Sequence, residues 1–462
     1  MSPIPVPLVA LLSLGVALSA AARPCTPVTP TPCPNCFAVF VMPDTQRYTR
    51  LSMQPEGANH LDLVTRYICA NRTRWTEPRT GKQMPILMVI QLGDLVDRGD
   101  AGEDEAGPLA EWTRVDAAFD NLDACDPVVP YLVTTGNHDL AYGSYEAPSR
   151  GFEQYFGVDR WKQRGYGCTG PAECDWDAGQ WFIGGGDPIS TKSRNNASGS
   201  QNPGPPAKQP GRHRAARIRA PNGMPMLFLG LELAFDYPPA AAPGEGDDSA
   251  WPIRILSLHR DAATVVFHHS MLWASADPVP RLRWGPETWN SDSIPNPPNP
   301  AVGGPPVGTA DGMKHVYDRI VAPFSQVRFL FTGHVLTPAR QGDYTVERTD
   351  APPVWAFLRN YQNVGPTAKN RDPQDPQPVK AYGDGWNVIA AFDPDAREVR
   401  VRSYRIDDRA AYADPPRNLE HRGTPAPTAC LDADQDGVPE RVLTWDFASG
   451  LHPGPDPEHA DD

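Results

Sequence analysis

Six short apolar runs, each ended by a turn signal, limit what this chain can fold into: Phe37–Met42, Ile86–Leu92, Val128–Thr134, Met226–Leu231, Thr264–His268 and Arg328–Phe331. Each has strand length and almost no polar interruption, the pattern of strands buried on both faces. Between them, Leu109, Trp112, Val115, Phe119 and Leu122 recur at helical spacing, as do Met313, Val316, Tyr317 and Ile320. Strands alternating with helices predict an α/β layered domain. A later pair, Asn387–Phe392 and Val399–Tyr404, brackets Asp-Pro-Asp and predicts a β-hairpin.

Composition narrows the class further. Of 462 residues, 54 are Pro and 39 Gly, which requires many fixed turns and excludes a coiled coil or a long helical bundle. Hydrophobic residues at 40% support a sizeable core. With 42 basic against 56 acidic side chains, a net charge of −14 makes a nucleic-acid backbone a poor partner. Two stretches interrupt the strand–helix pattern and are expected as surface loops: 184–225, which carries Arg212, Arg214, Arg217 and Arg219, and the Pro-rich 276–308. The expected organisation is a signal peptide over 1–22, a Pro/Cys-rich segment over 23–36, one α/β domain over 37–410, and a Pro/Asp-rich tail over 411–462 outside the core.

The signal peptide rests on the apolar run 8–18 followed by small residues ending in Ala20-x-Ala22, although the run has no Lys or Arg before it. That predicts a secreted or periplasmic protein. No other apolar run approaches spanning length, so the mature chain should not insert stably in a membrane. Eight cysteines, at 25, 33, 36, 69, 125, 168, 174 and 430, form an even set that an exported chain would use as disulfides. Cys168 and Cys174 are expected to close a short loop. Cys33-x-x-Cys36 is open to zinc or redox readings, but no second such pair or nearby His completes a site.

Five polar motifs stand directly behind five of the strands. Asp44-Thr45-Gln46 follows the first, Gly93-Asp94-Leu95-Val96-Asp97-Arg98-Gly99 the second, and Gly136-Asn137-His138-Asp139 the third. His268-His269-Ser270 and Gly333-His334 follow the two later ones. In an α/β sheet the carboxyl ends of parallel strands open on one crevice, so all five can meet. Carboxylate, amide and imidazole together suit one or two borderline divalent cations such as Mn, Fe or Zn. Singly, each motif reads as a turn or a cap; in order behind strands they read as a metal site.

These motifs resemble the calcineurin-like metallophosphoesterase superfamily: D-x-Q in place of D-x-H, then G-D-x-x-D, G-N-H-D, H-H-S and G-H. The resemblance covers about residues 37 to 405 and implies a two-sheet β-sandwich flanked by helices. Pro43-Asp-Thr-Gln, Leu231-Glu-Leu, Gly-His-Val-Leu and Asn360-Tyr-Gln look like an exported bacterial branch. The implied activity is hydrolysis of a small phosphorylated substrate, by a metal-bridging hydroxide attacking phosphorus. Carried over by position, Asp94 bridges two metals; Asn137, His334 and His269 complete the second site, with His268 as its neighbour; Asp44 and Gln46 serve the first. His138 is the expected general acid with Asp139 fixing its ring, and Arg98 either grips phosphate or forms a surface salt bridge.

Two departures fall on the first site: Gln46 replaces an imidazole, and Leu336 stands where the family's G-H-x-H has its second His. They keep open a rival reading, a catalytically impaired metal- or ligand-binding surface protein. In the tail, Asp432, Asp434, Asp436 and Gly437 have the spacing of a calcium loop, but Leu443 stands in place of a bidentate Glu. A solvated acidic turn is the alternative there.

Overall fold

The computed structural model describes residues 29–49, 59–97, 109–139, 150–169, 174–175, 179–185, 213–232, 250–274, 282–284, 313, 316–334, 342–360, 386–406 and 441–445. Its main strands in chain order are β1 (Phe37–Met42), β2 (Ile86–Gln91), β3 (Tyr131–Val133), β4 (Phe182–Gly185), β5 (Arg214–Arg219), β6 (Pro225–Leu231) and β7 (Ala263–His268). They continue as β8 (Val327–Thr332), β9 (Gly342–Val346), β10 (Val354–Leu358), β11 (Trp386–Asp393), β12 (Glu398–Arg405) and β13 (Arg441–Thr444). The longer helices are α1 (His60–Asn71), α2 (Ala110–Asp123) and α3 (Ala250–Leu258).

These strands form two sheets. One has the order β13-β12-β11-β1-β2-β3, the other β9-β10-β8-β7-β6-β5-β4. The central pairs are parallel: β1 with β2, β2 with β3, β6 with β7, β7 with β8, and β8 with β10. Side-chain alternation along the second sheet separates two cores. Val265, Phe267, Phe329, Phe331, Trp355 and Phe357 face the first sheet, while Val266, Leu330, Val354, Ala356 and Leu358 face α3 and the turn of helix at Tyr317–Val321. Leu61, Val64 and Ile68 of α1 and Trp112, Val115 and Phe119 of α2 pack with the first sheet. The order helices, sheet, sheet, helices is the expected sandwich. It follows from strands that are apolar on both faces and therefore need cover on both.

Local chemistry fixes the joints. Asn59 caps α1, its Oδ1 accepting from the amides of Leu61 at 3.1 Å and Asp62 at 3.3 Å. The Cys69–Cys125 disulfide ties the end of α1 to the residue after the α2 cap, Cys33–Cys36 closes the turn before β1, and Cys168–Cys174 closes its loop as expected. No helix among the described residues is long and apolar enough to cross a membrane.

Two expectations need correction. The loop expected over 184–225 contains β5, whose Arg214 is fully buried with its guanidinium 5.8 Å from the rings of Phe152 and Trp161. Arginines that stack on aromatic rings sit in a sheet without exposing their stems. The tail, expected outside the core, supplies β13 to the sheet edge, and Trp445 is buried against Phe329 and Phe392 at ring separations of 5.4 and 5.8 Å. The signal-peptide stretch, Cys25, Cys430, the 276–308 insertion except Leu282–Trp284, Arg98, Leu336 and the candidate calcium residues lie outside the described residues.

Candidate metal centre

Parallel strands bring their carboxyl ends to one place, and the loops there are built from residues that only tight turns accept. Gly93 has φ +94°, and a Cβ on it would lie 2.7 Å from the Gly136 nitrogen. A Cβ on Gly136 would lie 2.2 Å from Asp94 Oδ1, and one on Gly333 2.2 Å from Asp44 Oδ1. Gly136 and Gly333 therefore admit the carboxylates, and Gly93 admits the backbone of Gly136. Asp94 and His334 are held at φ 55° and 68°, a strained setting for residues with side chains, of order 1–3 kcal/mol each, that persists only where the surroundings impose it.

What converges is a set of carboxylate, amide and imidazole atoms. His269 Nδ1 donates to the Leu92 carbonyl at 3.0 Å, which leaves Nε2 as a lone pair. That lone pair lies 2.9 Å from Asn137 Oδ1, 2.9 Å from His334 Nδ1 and 3.4 Å from Asp94 Oδ2. Ligand atoms of Asp94, His269 and His334 all fall within 4.8 Å of one another. Asp94 Oδ2 and Gln46 Oε1 are buried with no hydrogen-bond donor. Orphaned buried acceptors are costly unless a cation sits beside them. The donor set thus fits a divalent metal.

Asp44 joins from the first loop. It lies outside the Asp94–His269–His334 group, and its Oδ1 is 3.7 Å from His269 Nδ1. Its oxygens accept from the His334 amide at 3.1 and 3.0 Å, and Oδ2 also accepts from Asn360 Nδ2 at 2.6 Å. Gln46 turns its Nε2 to Asp97 Oδ1 at 3.5 Å.

Burial dominates the electrostatics. It pushes Asp44 well up, helped by the charge of Asp94, and lifts Asp94 to about 6 against the pull of His138. Asp139 is raised well above its ordinary value, again by burial first and then by Asp94. His334 is pushed down to about 3 and His269 is also lowered, both by burial first, so both imidazoles are neutral. Neutral imidazoles packed against carboxyls whose charge burial penalises are groups that a cation would convert to ligands.

The structure separates the two adjacent histidines. His268 accepts from the Ser270 amide at 3.0 Å through Nδ1 and meets the Glu232 carbonyl at 3.2 Å through Nε2. Both ring nitrogens are thus engaged with backbone, and His269 is the one among the acceptors.

The expected role of Asp139 is wrong. It does not touch the ring of His138: its carboxylate accepts from the amides of Leu95 at 2.7 Å, Val96 at 3.1 Å and Gly136 at 2.8 Å. Three backbone donors hold the carboxylate and tie the second and third loops together. The ring of His138 is held by Asp97, whose carbonyl lies 2.5 Å from Nδ1 and whose carboxylate lies 4.0 Å from it. His138 is the most open member, its side chain 36% exposed, and its own amide donates to Asp94 Oδ1 at 2.8 Å. Asp97 and Asn360 were missed as site residues. Asp97 is the second Asp of the G-D-x-x-D motif, and Asn360 follows the apolar run Val354–Leu358, so the rule of reading behind strands applied to both.

A four-layer α/β sandwich that gathers carboxylates, an amide and imidazoles at the ends of its parallel strands fits a calcineurin-like sandwich fold. Residues 44–203 match the calcineurin-like phosphoesterase family model, and the match supports membership of the metallophosphoesterase superfamily. That stretch includes Asp44, Gln46, Asp94, Asn137, His138 and Asp139, and the fold adds His269 and His334 from beyond it. Among curated proteins, none matches this chain.

Proposed function

We propose that this protein is an exported, metal-dependent hydrolase of phosphate esters. The convergence of His269 Nε2, Asn137 Oδ1, His334 Nδ1 and the donor-less Asp94 Oδ2 carries the reading. Asp94, Asn137, His269 and His334 would hold one divalent ion, and Asp44, Gln46 and the shared Asp94 a second. Such ions, when bound, acidify water and draw charge from phosphoryl oxygens.

The chain's own residues supply the rest. His138 stands at the open rim with Nδ1–H held by the Asp97 carbonyl, so Nε2 is the nitrogen left to give a proton to a leaving alkoxide when the ring is the imidazolium. Asp139 keeps the Asp94 and Asn137 loops in register through its three amide bonds. Arg98, next to Asp97 in sequence, would bind phosphate oxygens through its two-pronged guanidinium. Export is supported by the apolar leader and by three disulfides, which oxidising compartments maintain.

The test is hydrolysis of aryl phosphate monoesters and diesters by the mature protein, after chelation and after adding back Mn2+, Fe2+ or Zn2+. Turnover that vanishes with chelator and returns with metal is the expected result. Metal uptake without turnover on either ester would instead indicate a binding protein that keeps the fold, the reading favoured by Gln46 in place of an imidazole.

A further inference from the structure

Gln91, the last residue of β2, is fully buried and belongs to none of the motifs behind the strands. Its side-chain amide closes on a single residue two positions ahead. Oε1 accepts from the Gly93 amide at 2.8 Å, and Nε2 donates to the Gly93 carbonyl at 2.6 Å. The same Nε2 lies 3.3 Å from Thr45 Oγ1, and Thr45 stands between Asp44 and Gln46. One side chain thus joins the loop of the first strand to the loop of the second.

Gly93 needs such a restraint. It has no side chain of its own, its φ is +94°, and the next residue, Asp94, is a non-glycine at φ 55°. Glycine is the residue whose backbone is freest to leave this conformation. Between Gln91 and Gly93 lies Leu92, whose amide donates to Met42 at 3.0 Å and whose carbonyl accepts from His269 Nδ1 at 3.0 Å. The orientation of that carbonyl decides which nitrogen of His269 is left as the lone pair. The bonds of Gln91 therefore bear on Asp94 through Gly93, on Asp44 and Gln46 through Thr45, and on His269 through Leu92.

We propose that Gln91 is a positioning residue for the metal centre, setting the spacing of the two ligand loops and the tautomer of His269 without itself touching metal or substrate. This rests on the metal-dependent reading above. A shorter amide cannot span both atoms of Gly93, and an apolar side chain of equal length fills the space without making the bonds.

The experiment is Mn2+ binding by equilibrium dialysis of the full mature protein, comparing wild type, Gln91→Met, Thr45→Val and the double variant. Gln91→Met should weaken Mn2+ binding about 10- to 100-fold, the usual effect of removing a partner that orients a ligand. Thr45→Val should give a smaller loss in the same direction. The double variant should lose less than the two together, because they share a bond. A control destabilised to the same Tm by Ile389→Val or Phe119→Leu, away from the loops, should bind Mn2+ as wild type does. Wild-type affinity in both Gln91→Met and Thr45→Val, or a loss no larger than in the matched control, overturns the inference. Should Gln91→Met not fold, Thr45→Val decides alone. If wild type takes up no Mn2+ at all, the metal-dependent reading itself fails.

Discussion

His269 points the lone pair of Nε2 at Asn137 Oδ1 across 2.9 Å, an acceptor facing an acceptor between two buried side chains. Its other nitrogen is committed to the Leu92 carbonyl, so no hydrogen of the imidazole can mediate the contact. A divalent cation would resolve the opposition by binding both atoms.

The two proposed ions should differ in how firmly they are held. Asp94, Asn137, His269 and His334 offer two imidazoles to one ion, whereas Gln46 gives the other a neutral amide and Leu336 gives it nothing. Dialysed protein should retain about one equivalent of metal and take up a second from solution. Gln46→His should tighten the looser ion, and His334→Ala should release the tighter one. Two equally firm ions in the dialysed wild type would end the asymmetry argument.

Proton transfer should depend on His138 but not on Asp139. His138→Ala should lower kcat by about 10²- to 10⁴-fold for esters with poor leaving groups, and by much less for an activated aryl ester. Asp139→Ala, which frees the amides of Leu95, Val96 and Gly136, should weaken metal binding and leave the leaving-group dependence unchanged. A leaving-group effect from Asp139→Ala equal to that from His138→Ala would restore the direct role of Asp139.

Asp94 gives a pH signature. Its folded value of about 6 lies above an unfolded carboxyl near 4, so it stabilises the metal-free fold fully below about pH 4. That contribution is lost as pH rises through about 6. Metal needs the carboxylate and binds better over the same interval. The gap in Tm between protein with Mn2+ and protein with chelator should widen from about pH 4 to pH 7. A gap independent of pH would remove Asp94 from the ligand set.

Trp445 tests the unexpected strand. It is 2% exposed, lies against Phe329 and Phe392, and has the Arg328 guanidinium 5.8 Å from its ring. Trp445→Ala should cost about 3–5 kcal/mol of stability, seen as a lower denaturant midpoint at unchanged slope. A loss below about 1 kcal/mol, the range of surface changes, would mean that the tail only rests on the core.

The sequence exposed the central strands because they are apolar on both faces, and the metal loops because glycines and ligand residues directly follow those strands. Edge elements were harder to see. Arg214–Arg219 reads Arg-Ala-Ala-Arg-Ile-Arg, and its strand depends on aromatic rings from Phe152 and Trp161 that come from elsewhere in the chain. Arg441–Thr444 has one buried side chain, Leu443, and exists because β12 offers it an open edge. Asp139 was misassigned for a related reason: adjacency to His138 in sequence says nothing about the Leu95 and Val96 amides, which reach it only after the second loop has folded.

The tail strand also bears on the order of assembly. Phe37 opens β1 and stacks on Phe392 at 4.6 Å, and Phe392 in turn meets Trp445. The same aromatic cluster therefore draws on positions about 350 and 400 residues apart along the chain. Until residue 445 is in place, the sheet-to-sheet core lacks the ring that covers Phe329 and Phe392. Until then the edge of β12 that the tail strand covers is open to pairing with other chains.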